Sequence, residues 1–223
     1  MRAPEKLGHN RGTVEDRHAN LFRIAAWQIR MPGNLRELIT ASFDAAAANA
    51  WSKFTVGEAD KRVLNEAALK VLKIFPGRMP GQCALMSALY SLALEKLGSQ
   101  RSYVVAGSLY IGDKRVFGED NEFDGKELFS NSNVDWDGHA WVVYGDWLAD
   151  VSVCRTADAG TPRILSKYIA KELGKGKGLL ASRMAAIDPS GIRYVPQYVL
   201  TQDQVDAVGR GALAIIDKLN GIR

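Results

Sequence analysis

At 223 residues and 24.4 kDa the chain can bury a substantial core, as one large domain or a compact domain with an extension, and is too short for a second full domain. Hydrophobic residues at 47% and charged residues at 24% exclude a disordered or fibrous chain, and no apolar run is long enough for a membrane span. The net charge of +4, from 29 basic and 25 acidic residues, is spread along the chain and does not by itself argue for nucleic acid, and the start Met1-Arg2-Ala3-Pro4-Glu5-Lys6 lacks the apolar core of a signal peptide, so a cytoplasmic location is expected.

Residues 1–12 carry Pro4, Gly8, Gly12 and scattered charges without periodicity, and read as a loose tail in which His9, and His18 just beyond, are solvated. Thr13 opens a first helix with an apolar face of Leu21, Phe22, Ala25, Ala26 and Ile29, stopped by Pro32-Gly33. Asn34, with Glu37 three residues on, opens a second in which Leu35, Leu38, Ile39, Phe43, Ala46, Ala47 and Ala50 recur at three and four. Two such helices invite comparison with a DNA-reading helix-turn-helix, but the alanine-rich face offers few side chains for base edges, so packing is the better reading of residues 13–55. Gly57 precedes a third helix, with Val63, Leu64, Ala67, Ala68, Val71, Leu72 and Phe75 as its stripe, ended by Pro76-Gly77. The resulting division is 1–57 as tail and helical extension, 58–200 as core and 201–223 as a C-terminal helix packed on the core.

After Pro80-Gly81-Gln82, Cys83 heads a run from Ala84 to Leu94 broken only by Ser87 and Ser91, with Glu95 next on the same stripe. A helix apolar on all other sides is a central, buried one, and Gly98 suits a left-handed C-terminal cap. Cys83 then sits at a helix N-terminus, where the macrodipole favours the thiolate. A small buried hydrophobe is the alternative reading of any cysteine. Tyr103–Ile111 reads as a strand. Gly112–Asp137, rich in Gly, Asp, Asn, Glu and Ser, reads as a long loop that either frames a cleft or is a surface insertion.

Gly138–Ser152 reads as a β-hairpin turning at Gly145-Asp146. It holds the one histidine of the second half of the chain, and the two strands bring His139 beside Asp150, the relation of a base to its orienting carboxylate. Cys154 reads as packed. Thr161-Pro162 opens a short helix to about Leu173, and Gly174-Lys175-Gly176-Lys177-Gly178 lacks the spacing of a phosphate-binding loop. Ile192–Leu200 reads as a strand in which Pro196 marks an edge or bulge, and Thr201 with Gln204 caps a last amphipathic helix. Two cysteines make no disulfide framework, and Cys83, Cys154, His139 and Asp150 lack the close spacing of a zinc site, so neither a metal nor a cofactor is expected.

Helix-borne Cys, strand, His on a second strand and Asp on a third is the order of the transglutaminase-like branch of papain-type thiol enzymes. Gly81-Gln82-Cys83 resembles that family's Gly-x-Cys; Leu97-Gly98, Arg101, Val104, Val105 and Gly107 resemble its next stretch; His139-Ala140-Trp141 resembles its His-Ala-Trp, and Trp147 with Asp150-Val151-Ser152 its tryptophan followed by Asp-x-Thr. Residues 75–155 carry the likeness. A narrower one, to bacterial peptidases that process lasso-peptide precursors, lacks the acidic residue those carry after the tryptophan, where this chain has Val143-Tyr144. The resemblance implies an α+β papain-like fold, with Cys83 as nucleophile, His139 as general base and Asp150 as orienting carboxylate. The expected activity is thiol hydrolysis of a peptide or amide, with acyl transfer to an amine as its variant; a peptide or protein substrate is the expected partner. The backbone N–H of Cys83 is one expected oxyanion donor, with Gln82, Trp136 and Trp141 as candidates near the oxyanion or substrate. The reading from another class is a non-catalytic scaffold that binds protein or nucleic acid.

Overall fold

The computed structural model describes residues 35–75, 82–98, 100–119, 124–130, 136–160, 162–184 and 191–221. The tail, His9, His18 and the helix expected from Thr13 lie outside the described residues. The elements in chain order are α1 (Leu35–Ser42), α2 (Ala45–Lys53), α3 (Glu58–Ile74), α4 (Cys83–Leu97), β1 (Tyr103–Ile111), β2 (Lys114–Phe117), α5 (Gly125–Leu128), β3 (His139–Tyr144), β4 (Trp147–Asp150), α6 (Val153–Asp158), α7 (Arg163–Glu172), β5 (Leu180–Arg183), β6 (Ile192–Val199) and α8 (Gln202–Leu219). The class is α+β.

One antiparallel sheet, in the order β6-β1-β3-β4-β5 with β2 continuing along β1 beyond β3, organises the chain. Both of its faces are covered. Val104, Ala106, Ala140, Val142, Tyr144 and Ala149 share one core with α3, α4 and α8. Tyr103, Val105, Leu109, Trp141, Val143 and Leu148 share another with α1, α2, α6 and α7. Burial on both sides explains why His139–Tyr144 shows no polar alternation: all six residues are buried.

α4 is the central helix of the first core. Its serine stripe faces protein rather than water: Ser87 Oγ donates to the Ala140 carbonyl (3.0 Å) and Ser91 Oγ bonds Ser102 Oγ (2.8 Å). Gly98 is no left-handed cap; its φ is −102°, ordinary extended backbone, and glycine is needed because a Cβ would stand 2.8 Å from the Tyr144 hydroxyl. The N-terminal helices are fastened to the hairpin turn, Trp51 Nε1 donating to the Gly145 carbonyl (2.8 Å) and the Val56 N–H to Asp146 Oδ1 (2.8 Å). Gly145 itself has φ 55°, the left-handed conformation this tight turn requires.

Two further expectations are corrected. The helix expected to run through Leu35–Ala50 is two helices, because the Asp44 side chain accepts from the Ala47 N–H (2.6 Å) and starts α2 anew. The segment 112–137 is not plain loop: β2 pairs with β1 and α5 follows, its N-terminus capped by the Asp124 side chain. β5 was not anticipated; it completes the sheet beyond β4. The Thr201–Gln204 capping box forms, and Pro196 lies where the β1/β6 register shifts, on a strand that among the described residues pairs with β1 alone.

Gly107 stands opposite that shift. A Cβ there would lie 2.0 Å from the Val195 carbonyl oxygen, so Gly107→Ala must separate β1 from β6. The expected loss is about 1–3 kcal/mol, read by urea denaturation; unchanged stability would show that the strands part freely.

Candidate active site

The hairpin register pairs Val142 with Ala149 and Val143 with Leu148, which sets Asp150 diagonal to His139 on one sheet face. His139 Nε2 donates to Asp150 Oδ2 at 2.5 Å, between residues 1% and 0% exposed. The carboxylate is held from every side. Oδ2 also accepts from the Tyr194 hydroxyl (2.8 Å), and Oδ1 accepts from the Ser152 N–H, the Ser152 hydroxyl and the Val153 N–H, each at 2.9 Å. Burial opposes its ionisation, but the His139 imidazolium and these donors overcome burial, and the carboxyl stays below its ordinary value. For His139, burial works against the charged ring; the Asp150 carboxylate outweighs it and, with the Cys83 side chain in hydrogen-bonding reach, raises the imidazole to about 10.

The imidazole is enclosed by rings. Phe117 stacks on it at 5.5 Å and 16°, Trp141 lies 6.4 Å away on the next inward position of β3, and Tyr194 stands 6.0 Å off. With Nε2 engaged by Asp150, Nδ1 is the nitrogen left for the sulfur.

Cys83 arrives from the other face of the sheet. α4 packs against Ala140 and Val142, whereas His139 and Asp150 project on the α6 and α7 side. Helix N-terminus and ring therefore meet around the open end of β3, where Cys83 Sγ lies 3.8 Å from the Gly138 carbonyl oxygen. Gly138 has no room for a side chain, because a Cβ would fall 1.7 Å from the Trp136 ring. Cys83 keeps 8% exposure; Cys154, at 1%, is packed in α6 with its thiol pushed up by burial.

The structure thus brings Cys83, His139 and Asp150 together, with Trp136 beside them. Gln82 is the residue before α4; its carbonyl accepts from the Met86 N–H, and it is itself buried. Trp141 is placed differently from expectation. It is fully buried beneath His139 with Tyr194 against it at 5.0 Å, so it supports the ring and has no surface to offer substrate. Among the described residues no group of three His, Cys, Asp or Glu is arranged to hold a metal ion, and no helix is long and apolar enough to cross a membrane.

Sequence reasoning missed Tyr194 and Phe117, which reach the site only through the pairing of β6 and β2 with β1. It also missed Ser152, whose position two residues after an aspartate is the pattern of a carboxylate capping its own backbone. Tyr194→Phe removes one hydrogen bond to a buried charge. About 1.5–3 kcal/mol of stability should be lost, measured by chemical denaturation; a loss within a few tenths would mean that the hydroxyl contributes nothing to holding Asp150.

Comparison with known proteins adds no relative: no protein-family model, no curated protein and no solved structure matches the chain.

Proposed function

We propose that the protein is a thiol hydrolase of the cysteine peptidase or amidase type, on a papain- and transglutaminase-like scaffold. The observation that carries the reading is the buried His139–Asp150 pair, closed at 2.5 Å, with the Cys83 side chain against the same imidazole at a helix N-terminus. The raised imidazole is a cation at neutral pH, the partner a thiolate needs. The Cys83 thiolate attacks the carbonyl carbon of a peptide or amide, and the oxyanion forms beside the Cys83 N–H, a first-turn donor without a helical acceptor. His139 gives its proton to the leaving amine as the C–N bond breaks, leaving a thioester on Cys83. Neutral His139 then takes a proton from the attacking water; the C–S bond breaks, the acid leaves and the thiolate–imidazolium pair is restored. Asp150 holds ring orientation and charge through both halves.

Peptide and protein substrates fit this chemistry. Both thiols are free and buried, which fits a reducing compartment such as the cytoplasm. The test is cleavage of a peptide library by the full chain. The reading expects products from the wild type and none from Cys83→Ala at unchanged fold; cleavage that survives Cys83→Ala would overturn it.

A further inference from the structure

Asp150 and Cys83 come from distant parts of the chain, and one side chain links the helix after Asp150 to the helix before Cys83. Oδ1 of Asp150 holds the first turn of α6 through the Ser152 and Val153 N–H groups. Arg155, two residues beyond Val153 on α6, reaches across 80 positions to the end of α3, its Nη1 donating to the Phe75 carbonyl (3.0 Å) and its Nη2 to the Leu72 carbonyl. These are last-turn carbonyls without helical partners, and a cation there also meets the negative end of the helix dipole. Arg155 is only half-buried, yet that burial already weakens its protonation, so the contact carries a desolvation cost. Phe75, 2% exposed, shares its core cluster with Cys83, and Cys83 follows it by eight positions.

We propose that Arg155 is a positioning residue: its guanidinium ties the helix that grips Asp150 to the end of α3, which packs in one core with α4 and Cys83, and so sets the sulfur against His139. Ser87 anchors α4 to β3 one turn inside the helix, which fixes the helix's face against the sheet; Arg155 fixes the end of α3 that shares a core with the helix's first residue. The fork is the point, since a lysine offers a charge but no paired donors in fixed geometry.

The inference rests on the thiol-hydrolase reading, and its test is the rate at which iodoacetamide alkylates Cys83 near neutral pH. The full-length wild type is compared with Arg155→Met and Arg155→Lys, and with Ser166→Ala, which removes a hydrogen bond from Ser166 to the Ala157 carbonyl at the far end of α6. Arg155→Met is expected to slow alkylation by about tenfold to a hundredfold, as misplacement by an ångström does to a reacting pair, with Arg155→Lys intermediate and Ser166→Ala at the wild-type rate. Folded arginine variants that alkylate at the wild-type rate overturn the inference alone, and Arg155→Lys decides it if Arg155→Met fails to fold. An equal slowing in Ser166→Ala also overturns it, because general loosening would then be the cause. A wild-type Cys83 that is inert overturns the thiol-hydrolase reading together with the inference.

Discussion

Asp150→Ala is expected to lower folding stability by about 3–5 kcal/mol, the scale for removing one partner of a buried ion pair. The substitution strands the fully buried His139 ring without its counter-charge and leaves the Ser152 and Val153 N–H groups and the Tyr194 hydroxyl without their acceptor. The loss depends on pH in a set direction. His139 is raised from 6.5 to about 10, so its contribution is complete below 6.5 and disappears as pH rises through 10. Asp150 is lowered from 3.8, so its contribution is present above 3.8 and disappears on further acidification. Urea denaturation of both proteins should give the widest gap in the window from 3.8 to 6.5 and a narrowing gap towards pH 10. A gap under about 1 kcal/mol, or one flat with pH, would mean that the pair is not ionised in the folded chain.

On the proposed thiol-hydrolase reading, His139→Ala is expected to reduce turnover of a cleaved peptide by at least about 10²–10⁴-fold, the range for general acid–base catalysis alone. In the double variant Cys83→Ala, His139→Ala the loss should be no larger than in Cys83→Ala, because the proposed nucleophile and base act as one unit. Losses that add across the two positions would assign them to separate processes. Trp141 enters this effect indirectly: its ring lies 6.4 Å from the imidazole and touches no solvent, so replacing it acts through the tilt of His139.

Local pattern carried much of the fold. β1 spans the apolar run Tyr103–Ile111, the hairpin turns at Gly145-Asp146, and α8 starts at the Thr201 capping box. The α1/α2 break was hidden because alanines continue the helical spacing straight across Asp44, whose capping role is visible only once its carboxylate is seen bonded to Ala47. β2 and β5, four residues each, are too short for a period-two signal and exist through their pairing with β1 and β4. The same division runs through the site. His139 and Asp150 are 11 positions apart on one hairpin, close enough for turn and register to bring them together. Phe117 and Tyr194 both pair with Leu109, on opposite edges of β1; Tyr194 does so across 85 positions (194−109) that one sequence does not disclose, and Phe117 does so from a four-residue strand too short to read.

The most direct measurement is the pH profile of iodoacetamide alkylation, with the modified residue located by mass spectrometry. The paired site predicts that Cys83 is the cysteine modified, that His139→Ala changes the rate and pH profile of that modification, and that buried Cys154 stays unmodified throughout. Modification of Cys154 ahead of Cys83, or a Cys83 profile identical in the wild type and His139→Ala, would contradict it.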